Sequence, residues 1–189
     1  MKTESKFQNL TDEELVEQIT NTKNDILFEV LYERYVHIVY NKCYGFTKTS
    51  MEAEDLSQDV FAKLYIKLSS FKGKSKFSTW LYAFTYNMCV DYVKEKAKKK
   101  FEPIKRDIED YDNLQIDVED SSLFQLKEDT LKLALEAIAP EDKMILLLKY
   151  QDDFSIKNIM EVLNISESAV KMRLKRAKLR IIEAYNNLR

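Results

Sequence analysis

The amino-acid sequence predicts an all-α fold: two small helical domains joined by a flexible acidic linker. The 189 residues include only two glycines and two prolines, which leaves too little turn chemistry for the many hairpins of a β fold. Hydrophobic residues make up 45% of the chain and charged residues 33%, a balance typical of a globular protein. In most segments the apolar residues recur at steps of three and four, which is the period of an amphipathic helix.

Residues 1–100 are expected to form the first domain, with four helices. Residues 11–14, TDEE, have the form of a capping box and open a short helix, LVEQI. Residues 49–52, TSME, form a second capping box before the third helix. Ser78 or Ser75 is expected to cap the fourth helix, TWLYAFTYNMCVDYVKEKAKKK. The predicted apolar face of the second helix consists of Ile26, Val30, Leu31, Arg34, Tyr35, Ile38 and Val39. The predicted apolar face of the third helix consists of Leu56, Val60, Phe61, Leu64 and either Ile66 or Lys67.

Residues 101–122 are predicted to be the flexible linker, because they are strongly acidic and show no sustained period. Residues 123–189 are predicted to form the second domain. Helical spacing resumes at its start, and Pro140 suits the first turn of the next helix. Ser155 and Ser166 are then expected to cap a short helix and a long final helix.

Composition excludes several classes of function. Cys43 and Cys89 are far apart and lack a C-x-x-C spacing, so free buried thiols are expected. With one histidine in the chain, metal sites and histidine-based catalysis are poorly supplied, and we expect no catalytic residue, metal or cofactor. The N-terminal segment is polar and unlike a signal peptide, and no stretch approaches the roughly 18 apolar residues of a membrane span. These features predict a cytoplasmic protein without membrane insertion.

Charge is segregated along the chain, although the net charge is only −2. Residues 94–106 carry seven Lys or Arg against two Glu, and residues 171–180 carry six against none. Between them, residues 107–120 carry seven Asp or Glu and no basic residue. Two basic patches on a nearly neutral chain indicate contact with nucleic acid at those patches.

Residues 155–188 have the outline of a helix-turn-helix: a capped short helix, a turn of about three residues and a longer helix. Lys and Arg on the second helix fit the major groove of DNA. An ordinary solvated helix face is the alternative, which the tight turn makes less favoured. The predicted core positions of the final helix are Val170, Leu174, Ala177, Ile181, Ala184 and Leu188. The predicted outward positions are Ser168, Lys171, Met172, Lys175, Arg176 and Lys178.

The stretch FKGKSKFSTW, residues 71–80, places three lysines between two phenylalanines, beside one of the two glycines and the only tryptophan. It could be a solvated loop that leads into a core helix, or a place where a flat, anionic group is held. Trp80 is expected to be buried. So is the helical face formed by Phe77, Leu81, Phe84 and Met88.

Two stretches together resemble the bacterial RNA polymerase sigma factors of the extracytoplasmic-function (ECF) group. EAEDLSQDVFAKLY with FKGKSKFSTWLYAFTYNMCVDYVK resembles their region 2. LALEAIAPEDKMILLLKYQDDFSIKNIMEVLNISESAVKMRLKRAKLRI resembles their region 4. The resemblance covers residues from about 25 to 100 and 123 to 188. It implies an alternative sigma factor, a non-enzymatic protein that binds core RNA polymerase, recognises promoters and helps to melt DNA.

In region 2 the resemblance implies that the third helix binds the clamp helices of the largest polymerase subunit. Asp55 and Asp59 are four residues apart and share a face suited to arginines of a partner, with Phe61 as a candidate anchor. The predicted polymerase-binding residues are Asp55, Leu56, Gln58, Asp59 and Phe61.

The resemblance also implies that the loop at residues 71–76 holds an unstacked base of the promoter's minus-ten element. Lysines would follow the DNA backbone, rings would stack, and Gly73 would let the main chain approach. Ala83 and Tyr86 stand where the family often has arginines, which predicts weaker phosphate contacts. The predicted minus-ten residues are Phe71, Lys72, Gly73, Lys74, Ser75, Lys76 and Asn87.

In region 4 the resemblance implies readout of the minus-thirty-five element, with the flap of the second-largest polymerase subunit as a further partner. Met172 stands where a small serine is common and could contact a thymine methyl group. An anti-sigma factor is an expected regulatory partner. The predicted minus-thirty-five residues are Lys149, Lys157, Ser168, Lys171, Met172, Lys175 and Arg176.

Two other functions compete with this interpretation. A helix-turn-helix regulator that acts without polymerase would explain the C-terminal half but not the stretches EDLSQDVF and FKGKSKFSTW. A magnesium-dependent helical enzyme could use Glu54, Asp55 and Asp59 as ligands. Such a site usually needs a second acidic cluster, and the remaining acidic run lies in the predicted linker.

Overall fold

The computed structural model describes residue 7, residues 9–99 and residues 126–188. The regular structure of these residues is helical, without a strand, so the predicted all-α fold is confirmed. A 3₁₀ turn, Leu68–Ser70, follows the third helix, and a π turn, Leu147–Gln151, follows the sixth. The helices are α1 Asp12–Thr22, α2 Asp25–Tyr44, α3 Ser50–Lys67, α4 Phe77–Lys99, α5 Glu128–Ala137, α6 Pro140–Leu146, α7 Ile156–Leu163 and α8 Glu167–Asn187.

The chain divides into two compact units, Met1–Tyr92 and Val93–Arg189. The division falls inside α4, because this helix continues past Tyr92 to Lys99. The predicted linker, residues 101–122, lies outside the described residues, so its flexibility and the predicted domain boundaries stay predictions.

Local capping starts the first and third helices as predicted. The Thr11 N–H donates to the Glu14 carboxylate at 2.7 Å, and the Glu14 N–H donates to the Thr11 hydroxyl oxygen. This pair is the complete capping box, and the hydrogen bond from Thr11 lowers the pKa of Glu14. At α3 the Thr49 hydroxyl oxygen accepts the Glu52 N–H, while the Glu52 carboxylate reaches one residue further, to the N–H of Lys48.

The first unit is built around the faces of α1 to α4 that lie against one another. On α2 the buried apolar positions are Leu27, Val30, Leu31, Tyr35, Val39 and Cys43. Ile26 and Ile38 are exposed, so their predicted place in the core is wrong. Each immediately precedes a core residue, and one residue rotates a helical position by about 100°, which turns these two side chains out of the interface.

The start of α4 differs from the prediction. This helix begins at Phe77, so neither Ser78 nor Ser75 is its cap. The Phe77 N–H instead donates to Glu13 Oε1 of α1 at 2.8 Å. A side chain that is distant in sequence thus satisfies a group that a neighbouring serine was expected to satisfy.

The second unit confirms the predicted starts of α6, α7 and α8. Pro140 is the first residue of α6. The Ser155 hydroxyl forms a capping box with Asn158, and the Ser166 hydroxyl oxygen accepts the Ala169 N–H. These caps define α7 and α8, the two helices of the predicted helix-turn-helix.

On α8 the predicted core is right up to Ile181 and then changes. Ala184 is half-buried and Leu188 is exposed, whereas Tyr185 is buried. The Tyr185 hydroxyl oxygen accepts the N–H of Lys127, just before α5, at 3.1 Å. A hydroxyl that finds a main-chain donor allows this tyrosine to be buried at little cost.

Candidate nucleic-acid and polymerase interfaces

The exposed face of α3 carries the predicted polymerase-contact acids. Asp55, Gln58 and Asp59 are exposed, as predicted for contact residues. Leu56 and Phe61 face the core, with 3% and 5% of their surfaces exposed, which confirms their place on the predicted apolar face and leaves them almost no exposed surface for a contact. The Phe61 ring packs edge-on against Tyr32 at 4.6 Å, so it stabilises the domain and offers no free ring surface to a partner.

Two large apolar side chains complete this face and were missed by the sequence reasoning. Met51 is 71% exposed and Ile66 is 74% exposed, although Ile66 was expected in the core. At about 100° per residue, both point to the same side of α3 as Asp55 and Asp59. We call Met51, Asp55, Gln58, Asp59 and Ile66 the α3 face. An angular plot extended to the end of the helix would have identified Ile66 as a member.

The loop at residues 71–76, here called the basic loop, exposes the main chain of Gly73 and the side chains of its three lysines. Gly73 has φ +67°, and no heavy atom lies within 4 Å of the point where a Cβ would stand. Its backbone conformation, and not crowding, therefore favours glycine. The Lys72 ammonium donates to the Ser69 carbonyl oxygen at 3.2 Å, and Ser75 is half-buried.

Four rings cluster at the base of the basic loop. Phe71 is half-buried and packs edge-on against the fully buried Phe77, with ring centres 5.6 Å apart. Trp80 is stacked on Phe84 at 5.4 Å, with 20° between the ring planes. Trp80 and Phe84 pack against the core but are only half-buried, so their predicted burial holds in part, whereas it is confirmed for Phe77. The cluster thus packs the start of α4 and still exposes ring surface beside the lysines.

Asn87 lies on the same side of α4 as Trp80 and Phe84. It is exposed, and seven residues from Trp80 correspond to about two helical turns. Its amide can both donate and accept hydrogen bonds at a base edge. The basic loop, the two stacked rings and this amide therefore form one continuous candidate site.

The two departures from the arginine pattern of the family face the core. Ala83 and Tyr86 are 2% and 1% exposed. The ammonium of Lys42 lies over the Tyr82 and Tyr86 rings, at 4.1 and 4.7 Å, and donates to the Tyr86 hydroxyl oxygen. The missing arginines therefore leave no gap in the exposed side of α4, and the weaker phosphate contacts stay a prediction.

The recognition helix candidate is α8, which follows α7 through a turn with Asn164 in the left-handed conformation, φ 51°. Ser168, Lys171 and Met172 are exposed as predicted. Lys171 forms an ion pair with Glu167 at 2.6 Å, and its hydrogen bond lowers the pKa of Glu167. The basic charge nearest the start of α8 is thus already held in a local pair.

Further along α8, Lys175 and Arg176 are half-buried. The Arg176 guanidinium lies 3.0 Å from the Met172 sulfur, one turn earlier. Met172 and Arg176 therefore form a single surface feature, in which the thioether supports the guanidinium.

The two predicted minus-thirty-five lysines that lie outside α8, Lys149 and Lys157, differ in their surroundings. Lys157 is exposed at the start of α7. The half-buried Lys149 donates to the Phe154 carbonyl oxygen at 3.2 Å and so connects the π turn to the segment before α7. Lys149 positions the helix-turn-helix in this structure, and a DNA contact would use another N–H group of its ammonium.

The described residues show no other candidate chemistry. Cys43 and Cys89 are buried thiols that form no disulfide, as predicted, with their sulfur atoms 3.9 Å apart. Within residues 9–99 and 126–188, no three His, Cys, Asp or Glu side chains form a group able to hold a metal ion. None of the helices in these ranges is long and apolar enough to span a membrane.

Comparison with protein families matches both units. The family described as Sigma-70 region 2 matches residues 31–99, and the family described as Sigma-70, region 4 matches residues 128–181. The first range runs from α2 to the end of α4, and the second from α5 into α8. The two matched ranges contain the α3 face, the basic loop and the helix-turn-helix.

Known sigma factors are similar over most of their length. The ECF RNA polymerase sigma factor SigW of Bacillus subtilis (strain 168) is 26% identical over 170 residues, which covers 86% of this chain and 90% of SigW. RNA polymerase sigma factor YlaC of the same organism is 29% identical and covers 81% of this chain and 88% of its own. The ECF RNA polymerase sigma-E factor of Escherichia coli (strain K12) is 26% identical, with 90% and 92% covered.

Two solved structures share the fold. The sigma factor RpoE of Bartonella quintana, in complex with the anti-sigma factor NepR, has a TM-score of 0.58 and 18% identity, covering 84% of this chain and 96% of that one. CnrH, in complex with the cytosolic domain of CnrY, has a TM-score of 0.53 and 17% identity, with 92% and 96% covered.

Proposed function

Because the chain belongs to the ECF group of the sigma-70 family of RNA polymerase sigma factors, we propose that it directs core RNA polymerase to a restricted set of promoters through three separate surfaces. It is an alternative sigma factor, and members of this family are not enzymes. The proposal rests on one observation: both units of the chain expose side chains suited to core RNA polymerase or to promoter DNA. The first unit has the α3 face and the basic loop, and the second unit has the outward side of α8.

The α3 face is proposed to bind the clamp helices of the largest polymerase subunit. Asp55 and Asp59 project from one side of the helix and can pair with arginines. Met51 and Ile66 flank them with exposed apolar surface, which gains free energy when a partner covers it. Leu56 and Phe61 support this face from beneath by packing in the core.

The basic loop and the ring cluster are proposed to hold an unpaired base of the minus-ten element. Lys72, Lys74 and Lys76 can follow the phosphates, and the half-buried Trp80 and Phe84 offer flat surface. Stacking of a base on such a ring contributes roughly 1–3 kcal/mol. In the same complex Asn87 would contact a base edge.

The outward side of α8 is proposed to read the minus-thirty-five element in the major groove. Arg176 can make paired hydrogen bonds with guanine, and Lys171 can contact phosphate after it leaves Glu167. Met172 supports Arg176 and can contact a thymine methyl group. The flap of the second-largest polymerase subunit is proposed to bind the same unit.

An anti-sigma factor is proposed as the regulator of this chain. The support is its likeness in fold to a sigma factor solved with the anti-sigma factor NepR. Since core polymerase and promoter DNA are cytoplasmic in bacteria, the chain is proposed to act in the cytoplasm.

Run-off transcription with core polymerase on a genomic promoter library tests the proposal. Transcripts that depend on the added chain are expected, and polymerase pull-down should recover it. A protein that binds duplex DNA but neither binds core polymerase nor supports transcription would instead be a helix-turn-helix regulator.

The α3 face can be tested with charge-matched variants. Changing Asp55 and Asp59 together to Asn should weaken pull-down by core polymerase. The control changes Glu29 and Glu33 to Gln, because these acids have the same four-residue spacing and are exposed on α2. Equal pull-down of the two variants would contradict the proposed contact.

A further inference from the structure

Helix α1 contacts the chain at both ends of the basic loop. Its buried side, Leu15, Val16 and Ile19, belongs to the core of the first unit, and α1 packs against the 3₁₀ turn that leads into the loop. Where the loop ends, Glu13 Oε1 accepts the Phe77 N–H at 2.8 Å. The position of the six loop residues is therefore linked to α1 on both sides.

The first turn of α1 is itself held rigidly. The Asp12 carboxylate accepts a hydrogen bond from Arg34 Nη1 at 2.8 Å and another from the Tyr35 hydroxyl at 2.5 Å, both from α2. The neighbouring capping box of Thr11 and Glu14 holds the main chain of the same turn. Glu13 therefore projects from a well-fixed backbone, which is what a positioning side chain requires.

The contact made by Glu13 has a specific effect on α4. The first N–H groups of a helix have no partner within the helix, and a carboxylate both accepts their hydrogen bonds and interacts favourably with the helix dipole. Most helices obtain this cap from the residue just before them. In α4 the cap comes from 64 residues earlier, so it also joins two elements of the tertiary structure.

The consequence concerns the geometry of the site. Between the two contacts with α1, the loop exposes its lysines and contains Gly73 in the left-handed conformation. Because α1 contacts the chain at both ends of the loop, the placement of those ends determines where the three ammonium groups lie relative to Trp80 and Phe84. Without the Glu13 contact, the end at Phe77 would still be packed by its ring, but its N–H would lose the acceptor that orients the first turn.

We propose that Glu13 is a positioning residue for single-stranded promoter DNA: by capping α4 from α1, it holds the basic loop beside the stacked Trp80 and Phe84 rings. Glu13 does not contact DNA in this proposal. The inference rests on the proposed function of the basic loop and adds a residue, on a helix before the matched region 2, that this function requires.

Three variants separate this role from simple stability. Glu13→Ala removes the acceptor, whereas Glu13→Gln keeps an amide oxygen in its place. Glu17→Ala removes an exposed acid one turn further along α1 and serves as the control. Each full-length variant is combined with core polymerase, and its affinity is measured for a labelled non-template strand from a promoter that the wild type transcribes.

Glu13→Ala is expected to weaken capture of the single strand about fivefold, the equilibrium factor of one lost helix cap, while core binding is unchanged. Glu13→Gln should stay within about twofold of the wild type. Unchanged capture by Glu13→Ala, or no recovery in Glu13→Gln, would overturn the proposal. A parallel loss of core binding in Glu13→Ala would also overturn it, because Glu13 would then only stabilise the domain.

Amide hydrogen exchange provides a readout that does not depend on DNA. Exchange at the Phe77 amide should be about fivefold faster in Glu13→Ala than in Glu17→Ala or the wild type. Equal exchange rates would overturn the capping itself. A wild type that captures no strand would instead refute the proposed function, and with it the DNA role of Glu13.

Discussion

The two glycines of the chain allow a matched test of the basic loop. Gly73 has φ +67°, whereas Gly45, the residue that follows α2, has φ −63°. A Cβ at Gly73 would meet nothing within 4 Å, and a Cβ at Gly45 would come no closer than 3.4 Å to the Lys42 carbonyl oxygen. Sterically both positions accept alanine, so any difference between them reports on backbone conformation alone.

The magnitude follows from the cost of the left-handed conformation. An L-residue pays about 1–2 kcal/mol there, so Gly73→Ala should lower the free energy of unfolding of the first unit by up to that amount. Gly73→Asn should cost less and Gly73→Val more, because asparagine tolerates this region and β-branched residues do not. Gly45→Ala should be neutral or stabilising by about 0.4–1 kcal/mol.

Trp80 makes the assay simple, because it is the only tryptophan and packs 5.6 Å from Phe71 at the start of the basic loop. Urea unfolding followed by its fluorescence reports on the first unit. If residue 73 of a variant instead leaves the left-handed conformation, the loss in free energy of unfolding becomes smaller. The lysines then move, and capture of single-stranded DNA should fall. Wild-type unfolding together with wild-type DNA capture in Gly73→Val would refute the reasoning.

Three other changes have expected outcomes. Phe77→Ala should destabilise the first unit by about 3–5 kcal/mol and Trp80→Ala by less, since the first ring is buried and the second is partly exposed. Equal costs in circular-dichroism unfolding would contradict this. Burial and the hydrogen bond to Asp12 raise the pKa of Tyr35 above its ordinary 10.0. As the pH rises, the unfolded chain therefore loses the Tyr35 proton before the folded chain does. The free energy of unfolding keeps the contribution of this hydroxyl below about pH 10 and loses it above that pH. Between about pH 8 and pH 11, the unfolding temperature of Tyr35→Phe should fall less steeply with pH than that of the wild type. Lys171→Ala with Arg176→Ala should abolish minus-thirty-five discrimination and spare core binding; retained discrimination in promoter footprinting would place the readout elsewhere.

Helix starts show how far local sequence could predict the fold. Thr11, Ser155 and Ser166 cap their helices as expected, because the hydroxyl and the N–H that it accepts lie three residues apart on the same segment. The start of α4 was mispredicted because its acceptor, Glu13, lies 64 residues earlier, and no local pattern indicates such a partner.

The candidate site, like the helix starts, was predictable from sequence only in part. The lysines and glycine of the basic loop could be chosen from sequence, and the positive φ of Gly73 agrees with that choice. The exposed ring surface of Trp80 and Phe84 could not be predicted from sequence, since helical spacing shows which side of the helix a residue faces but not how far a neighbouring helix covers it. For the same reason Ile66 was wrongly placed in the core, whereas the core placement of Phe61 is right.

By itself the sequence determined the helical class, most helix starts, the helix-turn-helix and the two basic patches, because each depends on groups within a few residues of one another. The tertiary structure decided which apolar side chains remain exposed on α3 and which rings stay accessible beside the basic loop. It also decided that Ala83 and Tyr86 face the core and that Glu13 caps α4. These features depend on contacts between segments far apart in the chain, and a pattern along one segment carries no information about what packs against it.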